Sequence, residues 1–418
     1  MIFIPTRSAG LERLADFLPR AGRAYAANRN HDNGWPTDGG SRPNVSQLSP
    51  WLHSGLLSER EVIEAVLEEH SPDAAEKFVM EVFWRIYFKG YLEQHPGAWG
   101  RYCANRDTAL RRIEGDTGLH ALYLQATEGR TGIAVFDHWA KELVETGYLH
   151  NHARMWFASL WIFTLGLDWE LGADFFLRHL IDGDAASNTL SWRWVGGLHT
   201  KGKTYLAQPE NIARFTANHP LGPFYADGLA QEAQALKEPV MPARKPLDLP
   251  HRFDLGTLRE PYALILHDEA ASAVPFDLPY PPAIVIGAAR PEARSPYPVG
   301  KPARAFAESA VLSGAQDAEQ TYNAPFVTWT RDLALADILG TTNVQQVVLP
   351  YLPTGWTRDA LMPHIASLLS DRRARVLLND LNRATWPYAT AGFFGVKKRI
   401  DHILAGLGSP GRISSAST

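Results

Sequence analysis

Cysteine is nearly missing from this chain: 418 residues hold one, Cys103. That excludes a disulfide framework and any all-cysteine metal or iron–sulfur site within the chain, and leaves Cys103 a packing role. An excess of positive charge is missing too. Lys and Arg number 41 against 45 Asp and Glu, a formal net charge of −4, so no global basic field advertises nucleic acid, although a local basic funnel on such a protein suffices. Long apolar runs are absent, and the opening MIFIPTRSAG is too short an apolar stretch for a signal peptide. A cytoplasmic protein is the expectation. No solenoid-type repeat is visible.

Tryptophan, by contrast, is abundant. The chain has 13, more than a core of this size needs, which favours an aromatic-rich cofactor site. With 45% apolar and 21% charged residues the composition is that of an ordinary globular protein. Its length exceeds the usual ceiling for one core, so two domains are expected.

The chain is organised around Thr146 to Trp194, which carries Trp156, Trp161, Trp169, Trp192 and Trp194. Asn151 and Arg154 lie three apart and so share a helix face. Asp182 and Asp184 end a second apolar helical run, where a loop begins. A helix bearing Arg packed on a loop bearing acids makes a buried charged corner, which is costly unless the charges pair or bind something. Arg154 is expected to pair with Asp182.

Upstream, Ala9 to Ala26 has helical spacing interrupted by Pro19, and Asn28 to Arg42 is a loop rich in Gly, Asn and Asp. In the block VSQLSP, Ser46 and Ser49 precede a helix; Ser49 before Pro50 reads as an N-cap, and small hydroxyls at such a place can also present donors to an anion. Ser58 with Glu61 three on is a capping-box start. The helix expected over Ala74 to Glu93 sets Phe78, Glu81 and Arg85 on one stripe beside Trp84. On so apolar a helix Glu81 and Arg85 must find partners, and an intrahelical pair between them is one solution.

Gly197 to Thr204 satisfies the phosphate-loop pattern G-x-x-x-x-G-K-[ST] letter for letter. The pattern needs a buried strand before it and a helix after it, whereas WRWVG precedes it and Tyr205 to Pro209 follows with a proline, so a nucleotide-triphosphatase reading is rejected. Prolines crowd Leu236 to Pro261, a semi-rigid linker. Beyond it, short apolar runs at Ala263–Leu266, Ala283–Ile286, Phe326–Trp329, Val347–Leu349 and Arg375–Leu378 alternate with helical stretches at Pro302–Ser313, Leu333–Leu339 and Arg358–Leu369. That order argues a parallel sheet with right-handed crossovers. The expected fold is α + α/β: a helical domain over residues 1–235, a linker over 236–261, a Rossmann-like parallel α/β domain over 262–405, and a disordered tail over 406–418.

The blocks TGYLHN..R, LDW, LIDGDAASN and WRW, in that order and spacing, resemble the flavin-binding core of the photolyase and cryptochrome family. The resemblance implies a helical domain that binds FAD in a bent conformation and light-driven flavin chemistry on DNA, or light sensing. It assigns FAD contacts to Tyr25, Ser46, Leu48, Ser49, Phe78, Glu81, Arg85, Tyr148, Asn151, Arg154, Asp182, Asp184 and Asn188. Val45 stands where the family's leading Thr of the phosphate-holding segment is expected. Glu81, Trp84, Asn151, Met155 and Trp194 match the residues that line the substrate, a flipped base. In an extended chain Trp192 and Trp194 would face opposite ways, one conducting electrons inward and one walling the cavity.

Trp192 and Trp169 match two members of the family's photoreduction relay, but Asp116 falls where the third tryptophan is expected, with Trp156, Trp161 and Tyr123 as candidates for a detour. Arg193, His199, Lys201 and Lys203 are candidates to rim the cavity and touch DNA phosphates. In photolyases the α/β domain comes first, so its place here implies a circular permutation joined through the Pro-rich segment, with an unrelated α/β domain as the alternative. The function implied is a monomeric, FAD-dependent photolyase acting on UV-damaged DNA, with cyclobutane dimers favoured over (6-4) products. A cryptochrome-like blue-light sensor is the alternative. No antenna chromophore and no metal are assigned.

Overall fold

The computed structural model describes residues 3–36, 39–239, 243–252, 255–258, 261–276, 278–342 and 344–408. Helices fill the chain as far as Phe215. Pro19 divides the first helical stretch into Arg7–Phe17, a 3-10 turn over Leu18–Arg20, and Arg23–Asn28, because a proline ring cannot continue the ladder. The helix Glu59–Glu69 starts on a complete capping box, Ser58 accepting from the Glu61 amide and Glu61 accepting from Ser58. The longest helix, Pro72–Gln94, opens with Ser71 as N-cap and Pro72 in the first turn. The turn at Gly197 to Gly202 is followed by irregular chain to Gln208, so the phosphate-loop letters stand without the helix they require.

After Phe215 the described chain has no regular element until a 3-10 turn at Leu255–Thr257. Five strands follow: β1 Tyr262–His267, β2 Ile284–Ala288, β3 Phe326–Thr328, β4 Gln346–Pro350 and β5 Ala374–Leu377. All pair in parallel in the order β3-β2-β1-β4-β5. Lys301–Tyr322, Leu335–Thr341 and Trp356–Ser370 are the helices between them. β1 and β2 are buried on both faces, which is why they read as unbroken apolar runs rather than alternating ones. Alternate residues feed two clusters, Ile265 and Ile286 on one side, Leu264 and Val285 on the other. Gly406 ends the last helix, Ile400–Gly406, and the remainder of the expected tail from 409 on lies outside the described residues. No helix among the described residues is long and apolar enough to cross a membrane.

The chain order reverses between β1 and β4, and the segments leaving their carboxyl ends press on the helical part. The Ala271 amide donates to Ser54 O at 2.7 Å, and Tyr351 Oη and the Thr354 amide donate to Glu93 at 2.8 and 2.6 Å. One apolar cluster accordingly contains both Phe78 and Tyr87 from the long helix and Trp386, Phe393 and Val396 from the carboxyl-terminal helices. Gly90 is required there: a Cβ on it would lie 2.5 Å from the Trp386 ring.

Candidate functional site

Three helices and one turn surround a cavity of about 530 Å³. The helix Asn151–Ser159 starts where Gly147, in the left-handed conformation at φ 72°, ends the preceding helix, and the His150 ring accepts from the His152 amide to cap it. A π-helical turn over Leu160–Thr164 extends it. The helix Ala185–Val195 starts on Asp184, whose side chain accepts from the Ser187 amide at 2.7 Å. Into the space between these and the long helix project Glu81, Trp84 and Arg85, then Asn151, Arg154 and Met155, then Asn188, Trp192 and Trp194. Asp182 lines it from the turn before Asp184.

The charged corner forms. Arg154 Nη2 donates to Asp182 Oδ2 at 2.9 Å and Nε to Leu149 O at 3.0 Å, while its guanidinium lies 5.5 Å over the Tyr148 ring. The other carboxylate oxygen, Asp182 Oδ1, is buried without a hydrogen-bond partner, as is Trp192 Nε1. Asn188 Nδ2 is committed to Ala173 O at 2.8 Å.

On the opposite wall Glu81 and Arg85 do not pair with each other. Arg29 Nη1 donates to Glu81 Oε1 at 2.5 Å, and Arg85 Nε donates to Glu59 Oε1 at 3.0 Å. Partners from outside this helix take the place of the i,i+4 contact. Burial pushes the Glu81 carboxyl above its ordinary range, with Arg29 pulling the other way. Arg29 and Asn30 thus belong to the site, as do Phe88, His152 and Phe176. The sequence carried no signal for the first two beyond a polar loop, and the others needed the crossing of helices to be seen.

Several predicted contacts lie elsewhere. Asp184 faces away from the cavity into a buried cluster: Lys89 Nζ is 2.8 Å from Asp184 Oδ2 and also pairs with Glu269, and Arg85 Nη1 is 3.8 Å from Asp184. Burial alone would raise its pKa, but Lys89 and Arg85 outweigh that and hold it below the carboxylate range. Tyr25 and Phe78 pack on each other, centroids 5.2 Å apart, in the core behind the wall. Tyr148 is buried behind Arg154 rather than on the cavity.

The Ser46, Leu48 and Ser49 segment is tied down by Arg13, which donates to the Ser46 and Val45 carbonyls at 2.7 Å each. Leu48 is core, and Ser49 is the first helical residue of Ser49–His53 rather than its cap. The segment does not line the cavity.

Trp192 and Trp194 sit on a helix, not an extended chain, yet both reach the cavity; Trp192 is buried and Trp194 stacks on Tyr205 at 5.5 Å. Trp169 lies outside it with Tyr102 at 5.7 Å, which in turn meets Trp99 at 5.2 Å. The ring neighbours of Trp192 are Phe157, Trp161 and Phe176, and Trp161 continues to Tyr123 at 6.2 Å. Trp156 instead stacks on Trp139 and His152. Asp116 caps the helix Thr117–Thr127.

The proposed phosphate contacts divide. Arg193 is buried in an ion pair with Glu238, so it is not available at a rim. His199 lines the cavity, its Nε2 3.1 Å from Tyr87 Oη, but burial, with Arg193 nearby, lowers its pKa to about 4, so it carries no charge at neutral pH. Lys201 and Lys203 are exposed on the turn.

Residues 78–223 match the family described as the FAD binding domain of DNA photolyase. Over 157 residues the chain is 37% identical to a deoxyribodipyrimidine photo-lyase of Streptomyces griseus, covering 37% of this chain and 33% of that protein. Over 201 residues it is 34% identical to the deoxyribodipyrimidine photo-lyase of Thermus thermophilus, covering 48% of this chain and 45% of that one. Among solved structures, a Synechocystis cryptochrome superposes with a TM-score of 0.41 at 25% identity, over 50% of this chain and 43% of that chain. The chain thus spans less than half the length of these relatives.

Proposed function

We propose, on the premise that residues 78–223 belong to the FAD-binding domain family of DNA photolyase, that the protein is a light-dependent, FAD-containing lyase that splits pyrimidine dimers in DNA, of the cyclobutane type first. The observation that carries this reading is one cavity shared by two sets of residues. Glu81, Trp84, Asn151, Met155 and Trp194 are of the substrate-side type, and Arg154, Asp182 and Asn188 of the flavin-side type.

The residues fit the group at its ring end. About 530 Å³ falls within the roughly 300–1,000 Å³ of small-molecule and cofactor sites. Buried polar atoms are nearly always paired, so the orphaned Asp182 Oδ1 calls for a donor and Trp192 Nε1 for an acceptor, both of which a flavin carries. FAD, when bound, supplies on illumination the electron that opens the dimer and takes it back. Arg154 and Asp182 would hold its polar edge, and the neutral amide of Asn188 does not oppose negative charge there as a carboxylate would. Trp84 offers a ring face to a flipped base. Glu81 lines the same wall, and released from Arg29 its carboxyl is placed to hydrogen-bond a substrate base.

A second reading, a cryptochrome-like light sensor without repair, is favoured by Arg29 holding Glu81 at the mouth and by Asp116 in the relay position. The deciding experiment illuminates a dimer-bearing oligonucleotide with the reduced, purified protein. Loss of dimers supports repair, an unchanged dimer count with the flavin reduced leaves the sensor, and a colourless protein removes both.

A further inference from the structure

The α/β part of the chain sends one segment to the cavity wall, and two adjacent phenylalanines there are treated differently. Phe393 is buried and stacked on Trp84, ring centroids 4.0 Å apart and planes 16° apart. Phe394 is 71% exposed. The segment is anchored on both sides: Tyr87 Oη donates to Ala391 O, and the Val396 amide donates to Phe393 O at 2.9 Å, closing the short helix Phe394–Lys397. Phe394 therefore stands out from a fixed turn one residue away from a ring that touches the cavity wall.

Beside it are exposed Lys397 and Lys398, with Lys398 Nζ 5.6 Å from the Phe394 ring. Lys397 meets Glu76 at 3.5 Å, both partners solvent-exposed, and such surface pairs yield readily to a phosphate. An isolated exposed apolar side chain needs no explanation. An aromatic ring flanked by lysines and continuous through a stack with a base-binding wall does, because that combination grips a nucleic-acid strand by its bases and phosphates together.

We propose that Phe394, Lys397 and Lys398 form a docking surface for the DNA strand flanking the lesion, extending the cavity's binding surface onto the α/β part. This rests on the DNA-repair reading above but concerns residues outside the matched 78–223 segment. Phe394 packs against an exposed base beside the extruded one, and the two lysines neutralise adjacent phosphates.

The test uses the full-length, flavin-loaded protein and a duplex carrying one cyclobutane thymine dimer, titrated in the dark by fluorescence anisotropy at several salt concentrations. Phe394→Ala should weaken binding roughly 5- to 30-fold, with Phe394→Trp restoring it. Lys397→Ala/Lys398→Ala should lower the slope of log affinity against log salt by about 2. Arg373→Gln, at the opposite end of the sheet, should leave the slope unchanged. Flavin content should be equal in all variants. Wild-type binding with unaltered affinity and slope in the variants overturns the docking surface while leaving the repair reading intact. A wild-type protein that binds no damaged duplex overturns both. A change in self-association rather than in DNA affinity on Phe394→Ala assigns the ring to a protein contact and also overturns it.

Discussion

Replacing Lys89 by Met should destabilise the whole molecule, because this one ammonium holds two buried carboxylates from different parts of the chain. Its side chain is 7% exposed, Asp184 2% and Glu269 4%. Asp184 follows Asp182 of the cavity wall by two residues and Glu269 follows β1, so the cluster fastens that turn to the sheet. Removing one partner of a buried ion pair leaves uncompensated charge and costs about 3–5 kcal/mol, of which Arg85, 3.8 Å from Asp184, offsets a part. At about 2.1 cal/mol/K per residue, unfolding of the full chain carries an entropy of roughly 880 cal/mol/K, so the loss should lower the thermal midpoint by about 3–6 °C. The assay is differential scanning calorimetry at pH 7. The double variant Lys89→Met/Glu269→Gln should recover part of the loss, with a coupling energy of roughly 1–3 kcal/mol between the two sites. If Lys89→Met melts with the wild type, or the two substitutions simply add, the cluster does not bind the parts together.

Asp182→Ala should release flavin, while Glu81→Ala and Trp84→Ala should lower repair far more than they lower flavin content; absorbance after gel filtration and a dimer-loss assay separate the two sides, and the opposite order means that they have been exchanged. Ser58→Ala removes the capping box of Glu59–Glu69 and should cost about 0.5–2 kcal/mol in denaturant unfolding. His179 is half-buried, with Nδ1 itself buried and without a partner, and burial followed by Arg178 lowers its pKa to about 3. An imidazole kept neutral in the folded state gains a proton only on unfolding, so its contribution to stability is present above about pH 6.5 and is lost as pH falls toward 3. His179→Leu should therefore gain on the wild type by up to about 2 kcal/mol between pH 7 and pH 4.5; parallel pH profiles in paired unfolding titrations would exclude it.

The elements most legible in the sequence were those whose pattern is local. All five strands fell within two residues at either end of the expected runs; β1 and β2, buried on both faces, had to be apolar throughout. The capping box at Ser58 and the shared face of Asn151 and Arg154 depend on spacing alone and were equally readable. Illegible were the partners of buried charges. Arg29 and Glu81 lie 52 residues apart, Lys89 and Glu269 180 apart, and nothing in either neighbourhood names the other. Arg193 reads as a rim cation until Glu238, 45 residues on, folds back onto it. Asp184 is the instructive case: an Asp directly before Ala-Ala-Ser is legible as a helix N-cap, whereas the Lys89 that meets its other oxygen lies 95 residues earlier.

The contact of Trp386 with Gly90 bears on how this molecule can be divided. Gly90 lies about one and a half turns beyond Trp84 and Arg85 on the same helix, and the tryptophan that fills its missing side chain comes from far along the polypeptide. Removing everything beyond the Pro-rich stretch would strip that helix of its backing and open a greasy trough behind the residues that face the cavity. A fragment ending near residue 235 should therefore lack the formed cavity and regain it only when the remaining piece is added.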